Sequence, residues 1–279
     1  MRVAILSGKG GTGKTMVSVN LAAAVGQALY VDCDVEEPNG ALFFCPGDLC
    51  AEDVTVAQPA FDGSRCTACR KCVDVCRFGA LAFIKERPFL FEEVCHACGA
   101  CMELCPAGAI TGRQRAIGRI EQGTSGKVRF LGGRMNPGES TGVPIIRRLL
   151  ELADCFEGDV ILDCPPGSAC MVMESLQGAD YCVLVAEPTV FGAHNLAMVA
   201  DLAEHFHKPC GVLLNKCTED EDPSFRYCVE AGLPVLARIP FDRRLGTLCS
   251  QAQIACREDA EYAGLFSGLA ETIRKEAEK

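Results

Sequence analysis

The first fifteen residues carry a pattern that binds phosphate groups. Gly8 is followed by four residues and then by Gly13, Lys14 and Thr15, which is the G-x-x-x-x-G-K-[ST] spacing of a phosphate-binding loop. Glycines in such a loop let backbone N–H groups turn toward a polyphosphate, while the lysine neutralises the β- and γ-phosphates and the Thr15 hydroxyl binds Mg²⁺. The residues that we expect to bind ATP or ADP here are Gly8, Gly10, Gly11, Thr12, Gly13, Lys14 and Thr15.

A second chemistry is indicated by the cysteines, of which the chain has 20. Those with regular spacing form two C-x₂-C-x₂-C-x₃-C runs, which are Cys66, Cys69, Cys72 and Cys76, then Cys95, Cys98, Cys101 and Cys105. The second run repeats the first 29 residues later, as 95 follows 66, so the segment is an internal duplication. Thiolates are soft ligands that suit iron–sulfur clusters, and a pair of Cys₄ zinc sites is the alternative.

Carboxylates follow apolar segments that read as buried strands. Asp32 and Asp34 come directly after residues 28–31, and Asp163 comes after residues 159–162. The carboxyl ends of parallel strands meet at one edge of a sheet, where ligands bind. A carboxylate at such a strand end holds Mg²⁺, so Asp163 is expected to share the ion with Thr15.

Strands and helices alternate along most of the chain. Besides the strands named above and an apolar run at 3–6, strands are predicted at 181–185, 211–214 and 235–239, and helices at 12–27, 143–156, 191–205 and 257–276. The alternation predicts an α/β fold with a doubly wound, mainly parallel sheet. The predicted domains are a first part of the nucleotide domain (1–60), a small α+β insert with the cysteine runs (61–112) and the second part (113–279).

Residues 113–134 are rich in arginine and glycine, which favours a solvated connector with a short strand near Val128. The alternative is a docking face for an acidic redox partner.

The composition of the whole chain limits its expected partners and location. The net charge of −10 disfavours a nucleic-acid partner, and no apolar run is long enough to span a membrane. With no cleavable leader before the phosphate loop, the expected location is the cytoplasm, where thiols stay reduced.

The loop sequence GKGGTGKT resembles the deviant phosphate loop of the MinD/ParA/Mrp/nitrogenase-iron-protein ATPases. This resemblance implies that Lys9 reaches the nucleotide of a partner subunit in a nucleotide-dependent homodimer. Lys14, in contrast, would bind the nucleotide of its own subunit. It also implies that Asp34 lies in switch I, near Mg²⁺ and the attacking water. Further residues with implied roles are Gly167, whose N–H would bind the γ-phosphate in switch II, and Asn215 and Lys216, which would lie against the base. Because position 218 is Thr218 and not aspartate, adenine is the expected base.

The cysteine segment resembles a bacterial two-cluster ferredoxin, in which the fourth cysteine of each run ligates the other cluster. The resemblance therefore implies two [4Fe–4S] clusters with crossed ligands. The first would be held by Cys66, Cys69, Cys72 and Cys105, and the second by Cys76, Cys95, Cys98 and Cys101. Arg77 stands where a ferredoxin has proline after the fourth cysteine.

Together these features predict an ATPase whose nucleotide state gates electron transfer through two clusters to an unidentified partner. The insert leaves the chain after switch I and returns before switch II, so movement of a switch is close to the cysteines along the chain. Two alternatives stay open. One is an ATP-dependent carrier or assembly factor for iron–sulfur clusters, and the other is a MinD-like positioning or scaffold ATPase with structural clusters. Proteins of this architecture are often labelled cobyrinic acid a,c-diamide synthase-like, a name that rests on the shared nucleotide domain.

Overall fold

The structure, a computed structural model, describes residues 1–218 and 222–279. The strands are β1 (Arg2–Leu6), β2 (Ala28–Asp32), β3 (Gly47–Phe61), β4 (Leu81–Ile84), β5 (Arg87–Leu90), β6 (Ile110–Ser125), β7 (Val128–Met135), β8 (Asp159–Asp163), β9 (Tyr181–Ala186), β10 (Cys210–Cys217) and β11 (Val235–Pro240). The helices are α1 (Lys14–Val25), α2 (Gly40–Phe44), α3 (Lys71–Val75), α4 (Ala100–Glu103), α5 (Val143–Asp154), α6 (Cys170–Gln177), α7 (Val190–His205), α8 (Pro223–Ala231), α9 (Arg243–Ser250), α10 (Ala255–Glu258) and α11 (Ala260–Ala277).

Most of the strands join one large sheet. Within the described ranges its order is β11-β10-β9-β1-β8-β2-β7-β6-β3. The strands from β11 to β7 run parallel, whereas β6 is antiparallel to both β7 and β3. The prediction of an α/β fold with a mainly parallel sheet is therefore confirmed, with an antiparallel extension at one edge.

Both faces of the sheet are covered by helices, as alternate residues of β1 illustrate. Val3 and Ile5 pack in the layer that contains α1 and α11. Ala4 and Leu6 pack in the opposite layer, with α5, α6 and α7. Since strands buried on both faces read as continuous apolar runs, this arrangement explains why β1 and its neighbours were predictable from sequence.

The expectation of a solvated connector over residues 113–134 is wrong. This segment supplies most of β6 and all but the last residue of β7. Ile117 and Ile120 are buried between exposed arginines, and Gly132 packs so closely that a Cβ would lie 2.6 Å from the Phe130 ring. Glycine is thus required by packing here, where its frequency had suggested a loop.

The β3–β6 pair forms a ribbon that projects beyond the rest of the sheet. Gly118 pairs with Met135 at the end of β7, and the ribbon continues to the Phe61–Ile110 pair. From Gly118 back to Ile110, β6 therefore extends the ribbon by about 26 Å beyond β7, at ~3.3 Å per residue. Because β7 is parallel to β2, the ribbon projects from the edge of the sheet where β1, β2 and β8 end.

The cysteine runs lie at the tip of this ribbon, between β3 and β6. The chain there forms the antiparallel hairpin β4–β5 and the short helices α3 and α4. The predicted last helix, 257–276, is divided into α10 and α11, and Asp259 caps the second by accepting a hydrogen bond from the Glu261 N–H. No described helix has the length and apolar character that crossing a bilayer requires.

Candidate functional site: a phosphate loop beside a cysteine module

The loop between β1 and α1 is shaped to surround a ligand. Gly11 and Gly13 have left-handed φ values of +82° and +94°, which glycine adopts without strain. Among the described atoms, none lies within 4 Å of where a Cβ on Gly10 or Gly11 would be. The Thr12 hydroxyl is buried and has no hydrogen-bond partner within the described residues. A cradle with open space and an unpaired hydroxyl fits a phosphate chain.

Lys14 begins α1 and its ammonium group points at the ends of the neighbouring strands. Its Nζ lies 2.6 Å from Asp163 Oδ1 and 3.9 Å from Asp34 Oδ2. Burial alone would lower the pKa of Lys14, but the charges of Asp163, Asp34 and Asp32 raise it above its ordinary value. Lys14 is therefore charged at every physiological pH. Thr15 follows it in the first helical turn and is half-buried.

The acids around Lys14 outnumber it. Burial, together with the charge of Asp163, raises the pKa of Asp32 to about 8, and burial raises the pKa of Asp34 to about 6. Asp163 accepts a hydrogen bond of 2.8 Å from the hydroxyl of Tyr30 in addition to the one from Lys14. An excess of buried carboxylates favours a further cation, and Mg²⁺ binds through one or two of them together with substrate phosphates.

Among the described side chains, no three His, Cys, Asp or Glu residues converge so as to hold a metal ion by themselves. The predicted Mg²⁺ would therefore depend on phosphate oxygens together with Thr15 and Asp163.

Asn215 and Lys216, at the end of β10, hold the phosphate loop in place. Asn215 Nδ2 donates to the Thr12 carbonyl at 2.7 Å, and Lys216 Nζ donates to the Gly11 carbonyl at 2.7 Å. A cavity of about 310 Å³ lies beside them and is lined also by the Pro240–Asp242 segment. This volume is in the usual range for small-molecule pockets, and its position suits the base of a nucleotide bound in the loop.

Glu187 is a residue of this site to which the sequence assigned no role. Its carboxylate accepts a hydrogen bond of 2.7 Å from Lys216 and forms an ion pair with Lys9. Burial would raise the pKa of Glu187, but Lys216 and Lys9 together hold it below its ordinary value. In this structure Lys9 is thus bound within its own subunit.

Gly167 lies near the loop but its N–H is already engaged. That group donates to the Ser7 carbonyl at 2.8 Å, and the residue has a φ of +94°. The predicted contact with a γ-phosphate requires this hydrogen bond to break.

The cysteines of the two runs line two cavities. What we call the first cysteine set lines one of them and consists of Cys66, Cys69, Cys72 and Cys105. The second cysteine set lines the other and consists of Cys76, Cys95, Cys98 and Cys101. Each cavity thus takes three cysteines from one run and the fourth from the other run.

The two runs also share their backbone conformation. Left-handed φ values occur at Ala68 and Ala97 and at Arg70 and Gly99, pairs that are each 29 residues apart. α3 begins at Lys71 and α4 begins 29 residues later, at Ala100. The sequence repeat is therefore a structural repeat, in which two similar loops bend around two cavities.

Tyr30 and Glu187 are the site residues that sequence reasoning missed. Tyr30 lies inside a buried strand, where an aromatic ring reads as core, yet its hydroxyl meets Asp163 on the neighbouring strand β8, 133 residues away in sequence. The signal that could have found it is a polar tip two residues before Asp32. Glu187 carried a comparable signal, because it directly follows the apolar strand β9.

Comparison with known proteins agrees with this geometry. Residues 3–253 match the CobQ/CobB/MinD/ParA nucleotide binding domain. Uncharacterized protein MJ0578 of Methanocaldococcus jannaschii is 29% identical over 279 residues, which cover 99% of this chain and 97% of that protein. The cell division ATPase MinD of Pyrococcus furiosus superposes with a TM-score of 0.63 at 19% identity, covering 98% of each chain.

A second solved structure gives a similar result. The septum site-determining protein MinD of Pyrococcus horikoshii, complexed with Mg-ADP, superposes with a TM-score of 0.61 at 21% identity, covering 99% of this chain and 96% of that one. At these identities the structures establish a shared fold. The match over residues 3–253, which carry the phosphate loop and the acids around it, shows that the chain belongs to the CobQ/CobB/MinD/ParA nucleotide-binding domain family.

Proposed function

We propose that this protein is an ATPase that carries two [4Fe–4S] clusters, and that its nucleotide state gates electron transfer to a partner protein. The observation that carries the proposal is the arrangement of the cysteines. Each cavity is lined by three cysteines of one run and the fourth of the other, which is the ligand exchange of two-cluster ferredoxins. The ribbon that bears them projects from the same sheet edge as the phosphate loop.

In the nucleotide half, each residue has a specific part. The loop from Gly8 to Thr15 binds the phosphates, and Lys14 neutralises them. Asp163 and Thr15 hold Mg²⁺, while Asp34 orients the attacking water. Membership in the nucleotide-binding family supports this assignment.

Adenine would occupy the cavity beside Asn215 and Lys216. Lys9 would leave Glu187 and bind the nucleotide of a second copy of the chain. The homodimer is therefore expected to form with ATP and to weaken after hydrolysis. Gly167 would exchange the Ser7 carbonyl for the γ-phosphate in the same step.

In the cysteine half, the first and second sets would each hold one cluster. When bound, such clusters supply one-electron transfer. Couplings between sites commonly amount to ~1–3 kcal/mol, which corresponds to a shift of about 40–130 mV for one electron. A shift of that size can turn an uphill transfer to a partner into a spontaneous one.

The experiment is anaerobic purification followed by iron and sulfide analysis and EPR, then redox titration with ADP and with a non-hydrolysable ATP analogue. We expect about eight irons per chain and midpoint potentials that differ between the two nucleotides. Zinc in place of iron, or potentials and transfer rates that are identical in both states, would refute the proposal. The variant Lys14→Ala is the control, because it should lose the nucleotide effect and keep the iron.

A second candidate function is favoured by the likeness to MinD. The Pyrococcus furiosus protein is a cell division ATPase, which supports a positioning or scaffold ATPase whose clusters only stabilise the fold. In that case Cys66→Ser should lower the thermal stability, while nucleotide-dependent binding to partners stays unchanged. The cluster-carrier alternative makes a third expectation, which is transfer of iron and sulfide to an apo-acceptor that depends on Lys14.

A further inference from the structure

We propose that one loop couples the nucleotide site to the second cysteine set and leaves the first set uncoupled. This loop, residues 136–142, connects β7 to α5 and is called the bridging loop below. The proposal rests on the proposed function only for what the cysteines hold. The coupling itself concerns contacts within the chain.

At its nucleotide end, the bridging loop is packed against both segments that follow the acids of the site. The Met135 N–H, at the start of the loop, donates to the Val35 carbonyl at 2.8 Å. At the end of the loop, a Cβ on Gly142 would lie 2.4 Å from Val35 and 2.9 Å from Met171. Val35 directly follows Asp34, and Met171 lies in the first turn of α6, shortly after the Asp163 segment.

This packing leaves little free volume around Val35. Val35 is fully buried, and Gly142 is buried as well. Close-packed interiors transmit displacement because there is no free volume to absorb it. A movement of Val35 must therefore move the bridging loop.

The middle of the bridging loop, at Glu139 and Ser140, contacts the ribbon and the cysteine module. The Glu139 carboxylate accepts a hydrogen bond of 2.7 Å from Arg115 on β6 and a second from the same guanidinium. The Ser140 hydroxyl donates to the Cys95 carbonyl at 3.3 Å. Since the Glu139 side chain is only 8% exposed, separating it from Arg115 would leave a buried charge unpaired. The pair therefore moves as a unit.

The segment that receives this contact is also held by the ribbon. Gln58, which is fully buried, donates from Nε2 to the Glu92 carbonyl at 3.0 Å. Arg113 forms an ion pair of 2.6 Å with the Glu92 carboxylate. Residues 92–95 are thus held between the ribbon and the bridging loop, and Cys95 is the cysteine at the end of that segment.

The first cysteine set lacks this connection. Its segments are joined to each other, for example by the Asp62 N–H that donates to the Ala109 carbonyl at 2.8 Å. Within the part of the chain that the structure describes, no hydrogen bond or ion pair links the bridging loop to residues 62–72 or 105–109. The contacts are therefore asymmetric between the two sets.

The coupling begins with a change in the group that Lys14 binds. In this structure its ammonium group binds Asp163 and lies 3.9 Å from Asp34. A bound γ-phosphate competes for the same ammonium group, so Asp34 loses part of its neighbouring positive charge. The backbone at Val35 then shifts, and the bridging loop carries the shift to Cys95.

Hydrogen exchange measured by mass spectrometry on the full-length protein tests the proposal. Peptides covering 92–101 and 64–72 are compared between ADP and a non-hydrolysable ATP analogue. We expect exchange in 92–101 to change about fivefold between the nucleotides, and exchange in 64–72 to change much less. Ser140→Ala and Glu139→Gln should each reduce the response at 92–101 without affecting nucleotide binding.

Ser64→Ala is the matched control, because it removes a serine hydroxyl beside the first set, where it donates to Asp62. It should leave the response at 92–101 as in the wild type. If Glu139→Gln does not fold, Ser140→Ala alone decides, since it removes a single hydroxyl from an exposed residue. An equal response in both segments, no response in either, or a response at 92–101 that is as large in Ser140→Ala as in the wild type would overturn the coupling.

Iron analysis of the same samples separates this proposal from the proposed function. An asymmetric exchange response in protein without iron would support the coupling and refute the electron-transfer function. Iron-loaded protein with a symmetric response would refute the coupling and support the electron-transfer function.

Discussion

Glu187 binds the ammonium group of Lys9, the lysine that would have to reach a partner subunit. The same carboxylate binds Lys216, which in turn holds the Gly11 carbonyl of the phosphate loop. In the proposed dimer, Lys9 would have to exchange the Glu187 carboxylate for a phosphate group.

Glu187→Gln should therefore promote dimerisation in the presence of an ATP analogue. Lys9 is 39% exposed, and pairs of this kind contribute only about 0.2–1 kcal/mol. The expected change in the dimer dissociation constant is accordingly up to about fivefold, measured by sedimentation. Glu174→Gln on α6, which removes the ion-pair partner of Arg147 on α5, is the control. A Glu187→Gln protein that dimerises no better than the Glu174→Gln control would show that Glu187 does not restrain Lys9.

Lys14→Ala should reduce ATP hydrolysis by more than about 100-fold, because a charge that stabilises the transition state is lost. The substitution also leaves Asp163 and Asp32 buried without their cation, so the nucleotide-free protein should lose about 3 kcal/mol of stability. Steady-state turnover and chemical denaturation measure the two effects. Lys275→Ala, on the last helix, should change neither, and turnover of Lys14→Ala near the wild-type rate would remove the residue from its assigned role.

These residues also show what the sequence reveals. Lys14 and its glycines were predictable because the phosphate loop is local, and Asp163 was predictable because it ends an apolar run. Glu187 and Tyr30 were not assigned, because their contacts depend on which strands become neighbours. The Ser140–Cys95 hydrogen bond spans 45 residues of sequence and depends on the register of the ribbon, which no local pattern specifies.

The strands of the sheet also divide into those that the sequence predicts and those that it does not. Buried parallel strands such as β1 read directly from apolar runs, whereas β3 and β6 at the edge do not. β3 is exposed along much of its length, with only partial alternation. A strand with one solvated face and arginines on it resembles a loop in composition, and only its pairing defines it.

The stability of the nucleotide-free protein should fall as pH rises. The pKa of Asp34 is raised to about 6 and that of Asp32 to about 8, so the folded chain binds protons that the unfolded chain has released. The stabilising effect of these protons is complete below pH ~4, the unfolded pKa of an aspartate, and is lost as pH rises through the folded values. Denaturation from pH 4 to pH 9 without Mg²⁺ tests this.

The contributions of Asp34 and Asp32 to stability fall in different pH ranges of that titration. Asp34→Asn should flatten the decline below pH ~6, and Asp32→Asn should flatten the part that extends toward pH ~8. Lys14 stays charged throughout, so it adds no slope in this range. A stability profile of Asp32→Asn that matches the wild type from pH 6 to pH 8 would contradict the assignment to Asp32.

Gly13→Ala should abolish nucleotide binding. Its φ of +94° strains any residue with a Cβ, and that atom would lie 2.3 Å from Asn215 Nδ2. The loop must then move away from β10 and lose the hydrogen bond from Asn215 to Thr12. Isothermal titration with ADP measures the loss. Gly264→Ala in α11, an exposed position where no described atom lies within 4 Å of the new Cβ, should bind normally and fold at least as stably. Equal affinities in the two variants would show that the loop tolerates a side chain at position 13.

Paired serine substitutions test the exchange of the fourth cysteines directly. If Cys105 shares a cavity with Cys66, the double variant Cys66→Ser/Cys105→Ser damages one site and should retain about four irons per chain. Cys66→Ser/Cys76→Ser removes one ligand from each cavity and should lose both clusters. Without the exchange, the two results would be reversed, because Cys66 and Cys76 belong to one run. Cys155→Ser, an exposed cysteine far along the chain from both runs, controls for the loss of a thiol. Since both double variants remove the same number of cysteines from the same module, the difference in iron content between them reports the ligand arrangement and is insensitive to a general loss of stability.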